Sequence, residues 1–418
     1  MPTPLSFSLI FAAAVIVSVM LRVWLASRQV RHVAQHRNHV PDAFAQRVSL
    51  AAHQRAADYT IARTRLGLLE LALGTAVLFG FTLLGGLQWL HDALVALMPQ
   101  GDWLRPLTFV MAVALIGGIV DLPLSWYRQF RLEERFGFNR MTVRLWIADL
   151  LKGFAVSVVL GLPLLAGVMA LMRSAGSGWW LWAWLLWVGF NLAVLVLYPT
   201  VIAPLFNKFE PMPDGPVRTR VEALLARCGF TSRGLFVMDG SRRSAHGNAY
   251  FTGLGRAKRI VFFDTLLNRL NGEEVEAVLA HELGHFRRRH IAKRMVATFG
   301  LSAAGLWLLA WLATRPWFYQ GLGITPSADI QAIALVLFFL VIPVFAFPLQ
   351  PLASLASRRH EFEADQFAAQ HSRAGDLVSA LVKMYEDNAA TLTPDPLHSA
   401  FYDSHPPAAI RVGRLAGA

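Results

Sequence analysis

Seven long apolar stretches constrain this chain more than any other feature of its sequence. They cover roughly residues 5–25, 67–90, 107–127, 153–172, 179–203, 295–314 and 331–350. A helix needs about 20 mostly apolar residues to cross the hydrocarbon core of a bilayer, and each stretch comes close to that length. The composition agrees, because 55% of the residues are hydrophobic and only 16% are charged. We therefore predict seven transmembrane helices, with the lipid bilayer as a partner.

Two of these stretches leave alternatives. The first could be a cleaved signal peptide, but it lacks a basic region before it and a clear small-x-small site after it, so we expect an uncleaved span. The seventh contains Pro343 and Pro348, which we expect to break the helix. Such a helix is tolerated where it packs against protein rather than lipid.

The basic residues alternate between the connecting segments. Residues 26–66 carry seven arginines, residues 128–152 carry five arginines and Lys152, and residues 204–294 are rich in both types, whereas the short segments between them carry one arginine each. Cytoplasmic loops are the basic ones. The alternation predicts an N-terminus outside, and places residues 204–294 and the C-terminal tail in the cytoplasm. We expect a bacterial inner membrane as the location. The net charge of +12 then needs no nucleic acid partner, and no binding motif suggests one.

Two carboxylates, Glu70 and Asp121, lie within or at the edge of predicted spans. Carboxylates inside a membrane usually face the interior of a bundle or water. Glu70 and Asp121 could make hydrogen bonds between helices or line a polar chamber, and the sequence does not separate these alternatives.

The strongest chemical motif is His281-Glu282-Leu283-Gly284-His285. Asn271 provides a helix cap upstream of it, so the motif is expected on a helix. Residues four apart share a helix face, and both imidazoles can therefore reach one ion. Glu282 is rotated by about 100° from His281, beside the metal, where its carboxylate can take a proton from metal-bound water. Zinc suits this chemistry because it acidifies its water and polarises a carbonyl.

Other histidines are given no role. We expect the histidines of the 26–66 segment to be solvated loop residues and His290 to lie just past the site: His32, His36, His39, His53 and His290. The single cysteine, Cys228, excludes an internal disulfide and a thiolate cluster. The metal must therefore use His and carboxylate ligands.

A catalytic zinc usually has three protein ligands, so one more is needed. Ile291 stands where a third His of an HExxHxxGxxH motif would fall, which excludes that class. Glu361 and Asp365 follow the seventh span and are four residues apart. This spacing lets Glu361 bind zinc while Asp365 accepts the free N–H of a ligand histidine. Spacing alone favours Glu361 over Glu363 by about two to one.

Six sequence blocks together resemble one known family. They are YRQFRLEERFGFNRMTVRLWIADLLK at 127–152, PLFNKF at 204–209, SRRSAHGNAYFTG at 241–253, HELGH at 281–285, SRRHEFEAD at 357–365, and SHPP at 404–407 followed by Arg411. In this order around seven spans, they resemble the type I CAAX prenyl endopeptidases, membrane zinc metalloproteases. The resemblance covers nearly the whole chain.

The resemblance implies seven helices around a large intramembrane chamber, capped by the zinc domain. It supports Glu361 as the third ligand and Asp365 as its partner. It also implies that Asn248, Ala249 and Tyr250 form an edge strand that pairs with the substrate peptide, since an extended peptide can add to a sheet edge. For Tyr250 alone, a structural hairpin is an equal alternative.

The same resemblance places His405 and Arg411 near the site. A cation opposite the zinc would stabilise the oxyanion of a tetrahedral intermediate. The alternative for His405 is a turn residue before Pro406-Pro407, and we favour the catalytic role. Glu282, Asp365, His405 and Arg411 are thus the predicted catalytic residues.

The predicted fold is an all-α multi-pass membrane protein with a gluzincin-like α+β zinc protease domain. Residues 1–203 would form five transmembrane helices, 204–294 the protease domain, 295–350 helices six and seven, and 351–418 the rest of the protease domain. The predicted function is zinc-dependent endopeptidase cleavage of a peptide or protein substrate, prenylated or not, with one zinc ion per chain. The alternatives are an HtpX-like quality-control protease and a transporter or scaffold with an inactive protease domain.

Overall fold

Long helices make up most of the chain, and a small domain of shorter helices and one sheet is attached to them. The structure is a computed structural model that describes residues 3–101, 103–230, 234–252, 259–326 and 328–416. Gly253, the last residue of the block at 241–253, lies outside these ranges.

The described helices are, in chain order, α1 Pro4–His36, α2 Leu50–Phe81, α3 Gly86–Leu97, α4 Leu104–Tyr127, α5 Val143–Ser174, α6 Trp179–Leu197, α7 Ala203–Phe206, α8 Pro216–Arg227, α9 Asp264–Leu267, α10 Gly272–Arg287, α11 His290–Leu312, α12 Pro316–Gln320, α13 Ile330–Ala346, α14 Gln350–His371, α15 Ala374–Asp387, α16 Pro396–Tyr402 and α17 Ala408–Ala416. The described strands are β1 Phe209–Pro211, β2 Leu235–Met238, β3 Ala249–Thr252 and β4 Arg259–Phe263.

Seven helical segments of the described ranges are long and apolar enough to cross a membrane. They are Pro4–His36, Leu50–Phe81, Leu104–Glu133, Val143–Ser174, Gly176–Phe206, His290–Leu312 and Ile330–His371. Each contains most of one predicted span, so the prediction of seven spans is confirmed. The second span was placed too far along the chain, because α2 ends at Phe81 and Gly85 turns the chain with a φ of 79° before α3. A left-handed backbone of this kind suits glycine.

The seventh span continues directly into the helix that follows it. Pro343 lies inside α13 and does not end it, contrary to the expected break, and one 3₁₀ turn at Phe347–Leu349, which contains Pro348, joins α13 to α14. Half of the apolar window of this span is buried, against 28% or less in the other six spans. This burial supports the expectation that the helix packs against protein, over about half of its apolar window.

The segment between the first two spans is more ordered than a solvated loop. α1 runs to His36 and α2 begins at Leu50, so both helices extend well beyond the length of a bilayer crossing. Phe44 and Val48, between them, are buried in the hydrophobic core of the small domain. His53 is 1% exposed, and its Nε2 lies 2.9 Å from the carbonyl of His36. The expectation that His53 is a solvated loop residue was therefore wrong.

The small domain is built around a four-stranded sheet with the order β1-β2-β4-β3. β2 and β4 run parallel, while β1 and β3 pair antiparallel to their neighbours. β3 is therefore an edge strand. One hydrophobic core joins this sheet to α10 and to residues of α14, α15 and α17. Segments on both sides of the sixth and seventh spans thus share one core.

A cavity of about 1460 Å³ lies between the membrane helices and the small domain. Val15 of α1, Leu71 of α2 and Phe339 of α13 line its membrane side, while Asn248 and His405 line the side of the small domain. The cavity agrees with the expected chamber. A second cavity, of about 570 Å³, adjoins it along α2.

Glu70 both makes a hydrogen bond between helices and lines a chamber, the two alternatives considered for it. Its carboxylate accepts a hydrogen bond from Arg128 on the neighbouring helical segment, and it lines both cavities. Asp121 is exposed and lines neither of these two cavities.

Candidate metal centre

The helix that carries the HELGH motif is closed at its start by a reciprocal cap. The Asn271 side chain accepts a hydrogen bond from the backbone N–H of Glu274, and the Glu274 carboxylate accepts one from the backbone N–H of Asn271. Such a pair satisfies two orphan donors of the first turn. Glu274 is only 2% exposed and also accepts hydrogen bonds from Ser379 and Lys383 of α15. The cap therefore fixes α10 against the rest of the domain.

Gly284, in the middle of the motif, allows α10 and α14 to approach closely. A Cβ at Gly284 would lie 2.9 Å from the Cα of Ala364 and 3.0 Å from the Cβ of Phe367. Only glycine fits this contact without a shift of one helix. The close approach brings Glu361, one turn before Ala364, beside the two histidines of α10.

Three side chains converge at this contact. The Nε2 atoms of His281 and His285 are 3.2 Å apart. The Nε2 of His281 is 3.5 Å from Oε2 of Glu361, and the Nε2 of His285 is 3.3 Å from its Oε1. These residues form the described His/Glu group whose ligand atoms all lie within 4.8 Å of one another. Zinc binds nitrogen and oxygen ligands at about 2.0–2.2 Å, so one ion can reach all three.

The chemistry of these donors fits a cation. Asp365 can only accept, so the Nδ1 of His281, 2.9 Å from Oδ1 of Asp365, carries a proton and leaves Nε2 as a lone pair in the neutral ring. Oε2 of Glu361 is buried without a hydrogen bond of regular geometry, although the Nδ1 of His405 lies 2.8 Å from it. Lone pairs that face one another in a buried place are unfavourable unless a cation lies between them.

Asp365 and Arg411 lie behind His281, on the side away from the facing Nε2 atoms. Arg411 donates to both oxygens of Asp365, at 2.9 and 2.5 Å, and is 5% exposed. It also lies 3.6 Å from Oε2 of Glu361. The structure thus places Arg411 beside the cluster, as the resemblance implied, with its guanidinium bound to the carboxylate of Asp365.

His405 lies on the cavity side of the cluster, and Glu282 follows His281 on α10. The side chain of His405 is 62% exposed, and its ring contacts Glu361. Glu282 is half-buried. Burial raises the pKa of Glu282 above the ordinary value of a glutamate. A raised pKa is typical of a carboxylate that exchanges a proton.

The predicted substrate strand lies at the edge of the sheet. Ala249 and Tyr250 begin β3 and pair with Phe262 and Val261 of β4. Asn248 precedes the strand, and its carbonyl accepts a hydrogen bond from the backbone N–H of Phe263. The Tyr250 ring packs against Phe263, with its hydroxyl 4.0 Å from the sulfur of Met238. The Tyr250 side chain thus has a structural role in the sheet.

Two residues without a predicted role complete the surroundings of the histidines. The Nδ1 of His290 is 3.0 Å from the Nδ1 of His285, and the Nε2 of His290 is 3.0 Å from Oε2 of Glu363. Sequence spacing missed this contact because α10 ends at Arg287 and Arg289 turns the chain with a φ of 56°. In the sequence, this contact is indicated by nothing more than the HxxxxH spacing of His285 and His290.

Comparison with known proteins gives one consistent result. Residues 29–208 match the family model of the CAAX prenyl protease N-terminal region with five membrane helices, and residues 211–418 match peptidase family M48. A CAAX prenyl protease 1 homolog of Arabidopsis thaliana is 37% identical over 77% of this chain and 76% of its own length. The Homo sapiens homolog is 30% identical over 97% and 95%. The crystal structure of S. mikatae Ste24p matches 99% of this chain and 100% of its own, with a TM-score of 0.91 and 29% identity.

The fold and the site together define a membrane-embedded metalloendopeptidase. The chain belongs to the CAAX prenyl protease family, within peptidase family M48. This family implies a metal, typically zinc. The predictions of fold class, family and membrane zinc metalloendopeptidase function are confirmed. Neither the HtpX-like alternative nor the scaffold alternative is favoured.

Proposed function

We propose that this protein hydrolyses peptide bonds with one zinc ion per chain, held by His281, His285 and Glu361. The convergence of these three donors within 4.8 Å carries the proposal. Two imidazoles and one carboxylate form a usual catalytic zinc set that leaves room for substrate. When bound, zinc supplies a Lewis acid that acidifies water and polarises a carbonyl oxygen.

Glu282 is the proposed general base. It lies one residue after His281 and is half-buried, and burial raises its pKa. A carboxylate in this environment can accept a proton from the attacking water and return it to the leaving nitrogen. Both transfers need the side chain within hydrogen-bond reach of the water, which its position beside the histidines supports.

Three further residues have proposed roles around this base. Asp365 fixes the tautomer and orientation of His281 through the hydrogen bond at Nδ1, and Arg411 holds Asp365 in place. His405 is largely exposed toward the cavity and lies beside Glu361. We assign His405 the cationic or hydrogen-bonding contact to the charge that develops on the substrate carbonyl.

The substrate backbone is proposed to lie along Asn248, Ala249 and Tyr250. An edge strand offers main-chain donors and acceptors to an extended peptide, and β3 has β4 on only one side. Asn248 also lines the large cavity. Backbone pairing would position the scissile bond, while the Tyr250 ring keeps its packing in the sheet.

The proposed substrate class is a peptide that ends near a prenylated cysteine. Support comes from the names of the relatives and from the cavity of about 1460 Å³. Its membrane side carries apolar residues of α1, α2 and α13, which an isoprenoid chain can contact, and its other side reaches the metal centre.

The proposed topology follows the basic residues. The N-terminus lies outside, and the protease domain and C-terminus lie in the cytoplasm. Residues 204–294 and 351–418 together form one protease unit, and spans six and seven lie between them in the chain. The shared core of the two segments supports this division. The bacterial inner membrane stays a prediction, since the relatives described above are eukaryotic and do not support it.

The decisive experiment compares farnesylated and unfarnesylated peptides of one sequence, incubated with the purified full chain in lipid or detergent. We expect cleavage of the farnesylated peptide to be faster, because its isoprenoid adds apolar contacts in the cavity. A Glu282→Ala variant should keep zinc and lose cleavage. Cleavage by this variant at the wild-type rate would reject the mechanism, and equal cleavage of both peptides would reject the prenylated substrate.

A further inference from the structure

His290 lies in a buried position with all of its polar atoms engaged. It is 2% exposed, its Nδ1 faces the Nδ1 of His285, and its Nε2 faces the carboxylate of Glu363. Its ring stacks on His360, with the centroids 4.1 Å apart and the planes 12° from parallel. These contacts fix both the position and the rotation of the ring.

The metal cluster on one side and Glu363 on the other determine which ring nitrogens of His285 and His290 carry protons. Since His285 presents Nε2 to the metal cluster, its neutral ring carries the proton on Nδ1 and donates it to the Nδ1 of His290. His290 then carries its own proton on Nε2. Glu363 can only accept as a carboxylate, and its Oε2 takes that hydrogen bond.

We propose that His290, backed by Glu363, is a positioning residue that holds His285 in the metal-binding tautomer and orientation. The inference rests on the proposed metal ligands. Histidine ligands usually donate their second N–H to a carboxylate or a carbonyl group. Here His281 reaches the carboxylate of Asp365 directly, whereas His285 reaches that of Glu363 through one intervening imidazole.

One helix therefore supports both histidine ligands. Glu361, Glu363 and Asp365 all lie on α14. Glu361 faces the two histidine ligands. Asp365 accepts a hydrogen bond from His281, and Glu363 accepts one from His290. Glu363 points to the opposite side from Asp365, and only the turn at Arg289 brings His290 into the gap between Glu363 and His285.

The test measures zinc affinity of the full chain by competition with a chelator. His290→Phe keeps a ring that can stack on His360 but removes the acceptor for His285, so it should weaken zinc binding by about 10–100-fold. His290→Asn returns an acceptor near the position of Nδ1 and should recover most of that loss. His53→Phe, a change at another buried histidine, should leave zinc affinity unchanged.

A second readout follows the ligand field of the metal. The visible absorption of the cobalt-substituted protein should change in His290→Phe and stay like the wild type in His53→Phe. Wild-type affinity and spectrum in His290→Phe, or equal losses in the Phe and Asn variants, would overturn the inference while leaving the proposed function intact. A wild-type chain that binds no zinc would instead overturn the proposed ligands themselves.

Discussion

Arg411 holds the carboxylate of Asp365 with two hydrogen bonds, and the same carboxylate accepts the Nδ1 proton of His281. All three side chains are buried. A buried charge without a partner is costly, so each member of this group depends on the other two. These contacts fit the proposed role of the group, which is to hold His281 as a metal ligand.

The first prediction concerns this support. Arg411→Lys keeps the charge but loses the two-pronged contact with Asp365, and it should weaken zinc binding by about tenfold. Arg414→Lys is the matched control, because Arg414 is exposed and its guanidinium lies over the ring of Phe362. Chelator competition on both variants measures the effect. Wild-type zinc affinity in Arg411→Lys would show that Asp365 holds its position without the guanidinium.

The second prediction concerns the glycine of the helix contact. Gly284→Ala forces α10 away from Ala364 and Phe367, and an overpacked contact of this kind costs about 1–3 kcal/mol. The shift separates Glu361 from the histidines, so zinc binding and peptide cleavage should both fall. Gly272→Ala on the same helix meets the flexible side chain of Arg220 at 3.2 Å and Val217 at an ordinary contact distance of 3.9 Å, so it should be tolerated. Cleavage assays and zinc content on both variants give the comparison.

The third prediction concerns pH and the cap of α10. Burial alone would raise the pKa of Glu274, but the hydrogen bonds from Lys383 and Ser379 outweigh it and hold this pKa below its ordinary value of 4.5. Because the pKa is lowered in the folded state, the stabilisation is complete above about pH 5 and is lost as the pH falls through the folded pKa.

Glu274→Gln should therefore lower stability by about 2–3 kcal/mol near neutral pH, and the difference from the wild type should shrink in acid. Glu273→Gln is the control, since its ion pair with Arg220 is half exposed, and exposed pairs contribute little. Unfolding midpoints in detergent from about pH 2 to pH 8, a range that extends below the ordinary glutamate pKa, measure both. A difference that is independent of pH would contradict the assigned contacts.

The fourth prediction concerns a buried ion pair at the other end of the bundle. Arg105 and Asp329 are 7% and 3% exposed, and Arg105 also donates to the carbonyl of Met98. Arg105→Met leaves the carboxylate of Asp329 without this cation and should cost about 3–5 kcal/mol. The double variant with Asp329→Asn should be less damaged, because no buried charge is left. If the double variant were the less stable one, the pair would not be the source of the loss.

The fifth prediction concerns the identity of the metal. A chelator should abolish peptide cleavage, and zinc should restore it, whereas magnesium should not. Two imidazole nitrogens suit zinc, while magnesium prefers oxygen ligands in an octahedral arrangement. Restoration by magnesium alone would contradict His281 and His285 as ligands.

Much of the architecture followed from length and spacing in the sequence. Seven apolar stretches predicted seven spans, and the four-residue spacings of His281 with His285 and of Glu361 with Asp365 predicted the faces that now meet. Span length and the face shared by residues four apart are local properties of a helix, so they can be predicted from the sequence alone. The roles of these residues in catalysis stay predictions.

Other features depended on contacts that sequence spacing does not report. The exposed or buried state of Arg411 follows from how α17 packs, and the place of His290 follows from one left-handed residue, Arg289. The connection between α1 and α2 was expected in solvent, yet Phe44 enters the core of the protease domain. Such tertiary contacts join segments far apart in the chain and leave little periodic pattern.

The near-continuous helix from α13 into α14 connects a membrane span directly to Glu361, the proposed third metal ligand. Glu361 lies eighteen residues beyond Pro343, which corresponds to roughly 27 Å of helix. A tilt of about 5° at the level of Pro343 would move Glu361 by roughly 2 Å, whereas His281 and His285 stand on a helix that does not cross the bilayer. Because transmembrane helices change tilt with bilayer thickness, lipid composition should tune how well this enzyme holds its metal.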